Sequence, residues 1–242
     1  MKKKLTVILS AMLAVSLCFA IFVGCGETPA KDETENYPAL IFVPANNDTT
    51  YTVKAASKNA ATGELVIPET VNGKPVTAIV SKGFAGCPIT KITLPASIEK
   101  INPGAFSGCT SLIEVALPER LASIAKNAFN GCTALKRVIM GNNVDTIGDS
   151  AFADCANLES VKFSDTLTFI DDYAFKNCSS LTEVRFPETL TSIGAEAFSH
   201  CSALTVVKLP ASVRTIGNFC FGYNNGNVYT GNLIEAYFYG NV

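Results

Sequence analysis

Nine cysteines and a single histidine carry the sharpest chemistry in this sequence, and their spacing decides what they can do. Cys87, Cys109, Cys132, Cys155, Cys178 and Cys201 occupy one position of a repeat, so they form a ladder and not a cluster. Stacked repeats could bring Cα atoms to the roughly 4.4–6.8 Å of a disulfide, but parallel stacking aims equivalent thiols the same way. Zinc asks for four converging ligands. There is no Cys-x-x-Cys pair, and the only imidazole is His200, beside Cys201. The ladder is therefore expected to be reduced thiols packed as small buried hydrophobes, holding no metal and no cofactor. Asp171-Asp172 is a lone acidic pair on a turn, expected to be solvated. No glycine-rich phosphate loop or nucleophile elbow interrupts the repeats, and a catalytic site needs converging groups in a pocket. The sequence is read as that of a non-enzyme.

The elements that position these residues follow from the period. Phe84, Phe106, Phe129, Phe152, Phe175, Phe198 and Phe221 are spaced 22 residues once and then 23 five times, and the first six are each followed three residues later by a ladder cysteine. A fixed period of this length means a solenoid of similar coils. In each coil two apolar residues two apart, such as Val115 and Leu117, share one face of a short strand. Proline follows in four coils, at Pro95, Pro118, Pro187 and Pro210, consistent with a strand end. A second inward pair, such as Leu121 and Ile124, comes next. The Ala-Phe step is expected on a short helical or 3-10 turn. Residues 79–242 are assigned to this solenoid.

Ahead of it, residues 1–24 read as a signal peptide: Lys2, Lys3 and Lys4, a long apolar run, then Gly24 before Cys25. The stretch Phe22-Val23-Gly24-Cys25 resembles a bacterial lipobox, which makes Cys25 the lipidation site and the mature N-terminus. The alternative is an uncleaved anchor, since the apolar run nearly suffices to span a bilayer. Residues 25–38 are polar and acidic, the composition of a disordered tether. Residues 39–78 read as an N-terminal cap with a β-hairpin, needed to keep the first coil's apolar edge from water. Without the three N-terminal lysines the chain has 16 basic and 21 acidic residues, which argues against a nucleic-acid partner. Asn47-Asp48-Thr49 matches a glycosylation acceptor but is discounted in a bacterial lipoprotein.

The last coil departs from the pattern. Cys220 takes the alanine position before Phe221, Asn224 takes the cysteine position, and residues 222–232 form a turn-rich insertion before Leu233 restores the strand. Either the aromatic residues Tyr237-Phe238-Tyr239 close the stack, or another chain covers this edge.

The pattern Leu-x-x-Val-x-Leu-Pro-x-x-Leu-x-x-Ile-x-x-x-Ala-Phe-x-x-Cys resembles the BspA-like, or Treponema pallidum-type, leucine-rich repeats over roughly residues 65–242. The asparagine or cysteine of standard leucine-rich repeats is missing; its slot holds Ser97, Arg120 and Asn143. The resemblance implies an α/β repeat solenoid: a curved right-handed coil with a parallel sheet on the concave face and short helical or 3-10 turns on the convex side. It also implies a surface-exposed or secreted protein, often an adhesin, with no catalytic residues to carry over. On the concave face the outward column reads Thr93, Ala116, Ile139, Lys162, Arg185, Lys208, Tyr237. Lys162, Arg185, Lys208 and Tyr237 are the candidate contact for an extracellular protein or glycan. The alternative is a solvated face half neutralised by Glu159 and Glu183. The expected function is adhesion or partner binding outside the cell; the competing one is a structural envelope protein that self-associates through its C-terminal edge.

Overall fold

The computed structural model describes residues 32–225, 228–230 and 235–238, with side chains through residue 222. The signal segment, Cys25 and the first part of the tether lie outside the described residues. The segment expected to run free up to residue 38 is already held from Asp32 onward. Glu33–Asn36 form a 3-10 turn in which Asp32 accepts a hydrogen bond from the Thr34 N–H. The Glu33 N–H donates to the Asn72 side chain at 2.8 Å, and the Asn72 N–H donates back to the Glu33 carboxylate at 2.6 Å.

Strands β1 (Leu40–Ala45) and β2 (Thr50–Ala55) pair antiparallel, and the loop between them carries Asn46, Asn47 and Asp48 at φ 50, 55 and 65°. Asn and Asp tolerate this left-handed region better than other side chains. Strand β3 (Gly63–Val66) opens one sheet. Strands β4 (Thr70–Val71) and β5 (Lys74–Ile79) form a second hairpin around Asn72 and Gly73, both left-handed, as a two-residue type I′ turn requires. Because β2 pairs parallel with β5, the first hairpin lies over the end of the other sheet.

From there the successive coils build two sheets. The front sheet gains β6 (Ile89–Thr93), β8 (Glu114–Ala116), β10 (Arg137–Ile139) and β12 (Ser160–Lys162). The rear sheet gains β7 (Lys100–Ile101), β9 (Ser123–Ile124), β11 (Thr146–Ile147), β13 (Phe169–Ile170), β14 (Ser192–Ile193) and β16 (Thr215–Ile216). The rear order β1-β2-β5-β7-β9-β11-β13-β14-β16 is unbroken, and all of its coil-to-coil pairings are parallel. The front order β3-β6-β8-β10-β12 stops at β12; β15 (Val206–Leu209) pairs parallel with β19 (Glu235–Phe238) apart from it. Strands β17 (Tyr223–Asn225) and β18 (Val228–Thr230) make a hairpin of the insertion in the last coil.

The third side of each coil corrects the expected helical turn. Among the described residues the only helical element is the 3-10 turn at Glu33–Asn36. At the phenylalanine corner successive N–H groups alternate in direction. Those of Ala105, Ser107 and Cys109 turn back within the coil to Asn102, Gly104 and Phe106, at 3.0–3.1 Å. Those of Gly104, Phe106 and Gly108 reach the carbonyls of Lys126, Ala128 and Asn130 in the next coil, at 2.7–3.0 Å. A helix would need every N–H to turn back within the coil. Here alternate ones are spent on the neighbouring coil, so the corner is a run of tight turns and the fold is an all-β solenoid.

The core is the column of phenylalanines inside those corners. Phe84, Phe106, Phe129, Phe152, Phe175 and Phe198 are all buried, and neighbouring rings stack with centroids 5.1–5.4 Å apart and planes 4–12° off parallel. Phe221 continues the stack at 5.4 Å but is only partly buried. Phe129→Ala is expected to cost about 3–5 kcal/mol in urea unfolding, and Phe221→Ala clearly less. Equal losses at the two positions would contradict this account of the core.

Candidate binding face

The front strands turn one apolar residue inward, Leu65, Ile92, Val115, Val138 and Val161 in turn, and the residues on either side of it outward, as period-2 alternation demands. Two outward rows run across the strands in register. One is Glu64, Lys91, Glu114, Arg137, Ser160; the other is Val66, Thr93, Ala116, Ile139, Lys162. All ten are exposed. Along the first row the charges alternate from strand to strand, Glu64, Lys91, Glu114 and Arg137 in turn. None of these four charged side chains has an ion-pair partner within 4.0 Å among the described residues.

The expected basic column is brought together in part. Arg185 bridges Lys208 in parallel register, and Lys208 pairs with Tyr237 across β15 and β19. The side chain of Tyr237 lies outside the described residues. Lys162 sits on β12, at the edge where the front sheet stops. No backbone hydrogen bond among the described residues joins residues 159–163 to residues 182–186.

The break coincides with a change of residue at one slot. The strand position held by Leu94, Leu117, Met140 and Leu209 in other coils is Phe163 and then Phe186. Their rings stack at 5.6 Å, the widest of the stacked pairs, beside a usual strand spacing of about 4.8 Å. Each also packs edge-on against the main column, Phe163 on Phe175 and Phe186 on Phe198. Residues 182–186 are left with the single Arg185 bridge on the front face. On the other side of these residues from the break, a cleft of 790 Å³ is lined by Arg185, Lys208, Glu183, Glu188, Phe186 and Pro210 among others.

Electrostatically the three cations differ. The Arg185 Nε donates to the Glu183 carboxylate at 2.5 Å, and this bond raises the guanidinium's already high pKa. Glu159, expected near Lys162, pairs instead with Lys136 at 3.6 Å. Lys162 and Lys208 are exposed and have no carboxylate within 4.0 Å among the described residues.

The cysteines lie elsewhere, along the phenylalanine corners, and all seven described ones are free and buried. Each thiol from Cys109 to Cys201 donates to the carbonyl of the phenylalanine one coil earlier, from Cys109 to Phe84 at 3.0 Å through Cys201 to Phe175 at 3.2 Å. The carbonyl of Phe84 also accepts the Cys87 N–H at 3.0 Å, so the thiol uses its second lone pair. The sequence pointed to packing; these directed bonds were not foreseen. The acidic pair is likewise structural and not simply solvated. The Asp172 carboxylate accepts the Ala195 N–H of the next coil at 2.6 Å, and Asp171 accepts the Asp172 N–H at 2.8 Å. His200 is exposed, on a left-handed turn residue at φ 61°.

Two parallel sheets joined by hydrogen-bonded corners, one coil for each 23-residue unit, make this a β-solenoid of leucine-rich repeats. The family model described as the BspA type leucine rich repeat region matches residues 77–179 and 146–233, in six copies, and the chain belongs to that family. Among solved structures it is similar to a Treponema pallidum leucine rich repeat protein, with 26% identity, 81% of this chain and 68% of that one covered, and a TM-score of 0.39. A Eubacterium ventriosum leucine-rich repeat protein is also 26% identical over 66% of this chain and 52% of that one, with a TM-score of 0.49. A leucine rich cell surface protein of Faecalibacterium prausnitzii is 20% identical over 76% of this chain and 72% of that one, with a TM-score of 0.44. No curated protein sequence matches the chain.

Burial pushes the thiols of Cys155 and Cys220 up from an ordinary 9.0 to about 12. Between those two values the unfolded chain releases protons that the folded one keeps. The stabilisation is therefore complete below pH 9 and is lost as pH climbs toward 12, by up to about 1.4 kcal/mol per thiol per pH unit. Unfolding free energies measured across that range should fall, and iodoacetamide should label the seven ladder and corner thiols only after denaturation. Rapid native labelling would contradict the buried ladder.

Proposed function

We propose that this chain is an exported, non-enzymatic binding protein, tethered through lipidated Cys25, that presents the front sheet to an extracellular protein or glycan. The observation that carries this reading is the registered run Arg185–Lys208–Tyr237 beside the cleft, with Lys162 across the break. Stacked repeats offer extended surfaces of the kind other solenoids use for binding. The segment ending at Gly24-Cys25 supplies the export and the anchor, and membership of a BspA-type family is in keeping with both. The reading calls on no metal, cofactor or nucleic acid. It rests binding chiefly on Lys162 and Lys208, because Glu183 already holds Arg185.

A second reading, a structural envelope protein that self-associates through its C-terminal edge, is favoured by β19, which pairs only with β15 among the described strands. An unpaired strand edge is a template for another chain.

Labelled protein comprising residues 26–242 would be scored for binding to epithelial cells, matrix proteins and bacterial envelope fractions. Binding to cells or matrix is expected to fall about tenfold or more when Lys162, Arg185 and Lys208 are changed to glutamate, and to fall with added salt. Binding confined to envelope fractions and indifferent to these changes would select the second reading.

A further inference from the structure

The first four strands of the front sheet carry a pattern that matches itself when reversed. Across β3, β6, β8 and β10 the charged row reads Glu64, Lys91, Glu114, Arg137, and the neighbouring row reads Val66, Thr93, Ala116, Ile139. Consider a twofold axis parallel to the strands, between β6 and β8, lying in the plane where two such faces meet. It sets Glu64 against Arg137 of a second copy and Lys91 against Glu114, each twice. It also sets Val66 against Ile139 and Thr93 against Ala116. Every charge meets its opposite and the apolar row meets itself. An isologous interface requires this self-complementarity.

Three further features fit that occupant. The four central side chains are small or aliphatic, so two sheets can approach to the usual face-to-face spacing of about 10 Å. Val66 is 62% exposed, and a shallow depression of 190 Å³ lies over Thr93, Ala116 and Ile139, where the second copy's Val66 would seat. The pattern also ends where the overlap would end. Strand β3 begins the front sheet, and the strand after β10 offers Ser160 and Lys162, which break the alternation and the apolar row. A polyanionic glycan is not matched here, because the row has as many carboxylates as cations.

We propose that the face formed by β3, β6, β8 and β10 is a homodimer interface whose occupant is a second copy of this chain, packed through a twofold axis along the strands. The basic side chains Lys162, Arg185 and Lys208 lie beyond the overlap in each copy, so the dimer displays two sets of them. The inference does not depend on what that half binds. Four short strands cover far less than the roughly 800 Å² per partner of a standard interface, so the dimer is weak and concentration-dependent.

The test is sedimentation equilibrium of the full chain in detergent micelles, from about 10 μM to about 1 mM, a range suited to a small interface. The unaltered chain should dimerise within that range, and more weakly in high salt. Glu64→Lys places two like-charge contacts across the axis, and so does Arg137→Glu. Each alone should raise the dissociation constant about tenfold or more. An equimolar mixture of the two variants should form heterodimers, and the double variant E64K/R137E should recover the homodimer.

That double variant also separates the proposal from simple cross-strand pairing within one copy. It sets two positive charges side by side on β3 and β6 and two negative charges side by side on β8 and β10. The row no longer alternates, so intramolecular pairing alone predicts no recovery. Ala116→Arg, on an exposed side chain facing Thr93 of the second copy, should abolish the dimer and leave the circular dichroism and melting temperature unchanged. A monomer throughout the range, a dimer indifferent to the single changes, or failure of the double variant to recover would each overturn the proposal.

Discussion

The structure depends on a division of labour among backbone N–H groups at the phenylalanine corner. Alternate groups close tight turns within one coil, and the groups between them tie that coil to the next. The two sheets supply the other two ties. A coil is therefore held on three sides, and the phenylalanine column fills the space they enclose. Because each coil bonds only to its neighbours, stability is close to a sum over coils and their interfaces. The thiol ladder serves the same end: each Sγ–H occupies a phenylalanine carbonyl that its own coil has only half used.

This arrangement lets the front face vary without loss of the solenoid. Where Phe163 and Phe186 replace smaller side chains, the front ladder opens, yet the rear pairing of β13 with β14 and the bond from Phe175 to Ala197 persist across the same two coils. Two ties suffice to hold the coils together. The front side chains can then divide by position, with a neutral, self-matching half ahead of the break and a cationic half around it.

Much of this could be read from residue types. The period, the inward pairs and the outward columns follow from spacing alone, and the Asn72–Gly73 hairpin turn follows from its dipeptide. An Ala-Phe step with apolar neighbours suits a helical turn equally well, so residue types alone do not distinguish this corner from one. One signal was present: Gly86, Gly108, Gly131, Asp154 and Asn177 hold one slot, all types that tolerate left-handed backbone, and all are left-handed here. The slot four residues earlier carries a weaker signal: Gly104 and Asn127 suit the left-handed region, but Lys82, Ser150, Tyr173, Glu196 and Phe219 adopt it against their preference. The break in the front sheet was hidden for a different reason. Phenylalanine is an acceptable strand residue, so neither Phe163 nor Phe186 marks the break by its type.

Hydrogen exchange resolved to single amides tests the central claim most directly. The N–H groups of Phe106, Phe129, Phe152 and Phe175, each bonded to the next coil, should be as protected as those of the neighbouring β-strands, while amides of residues 182–186 exchange faster. Corner amides that exchange at the rate of an open loop while the strands stay protected would contradict the account, because the coils would then be joined by their sheets alone.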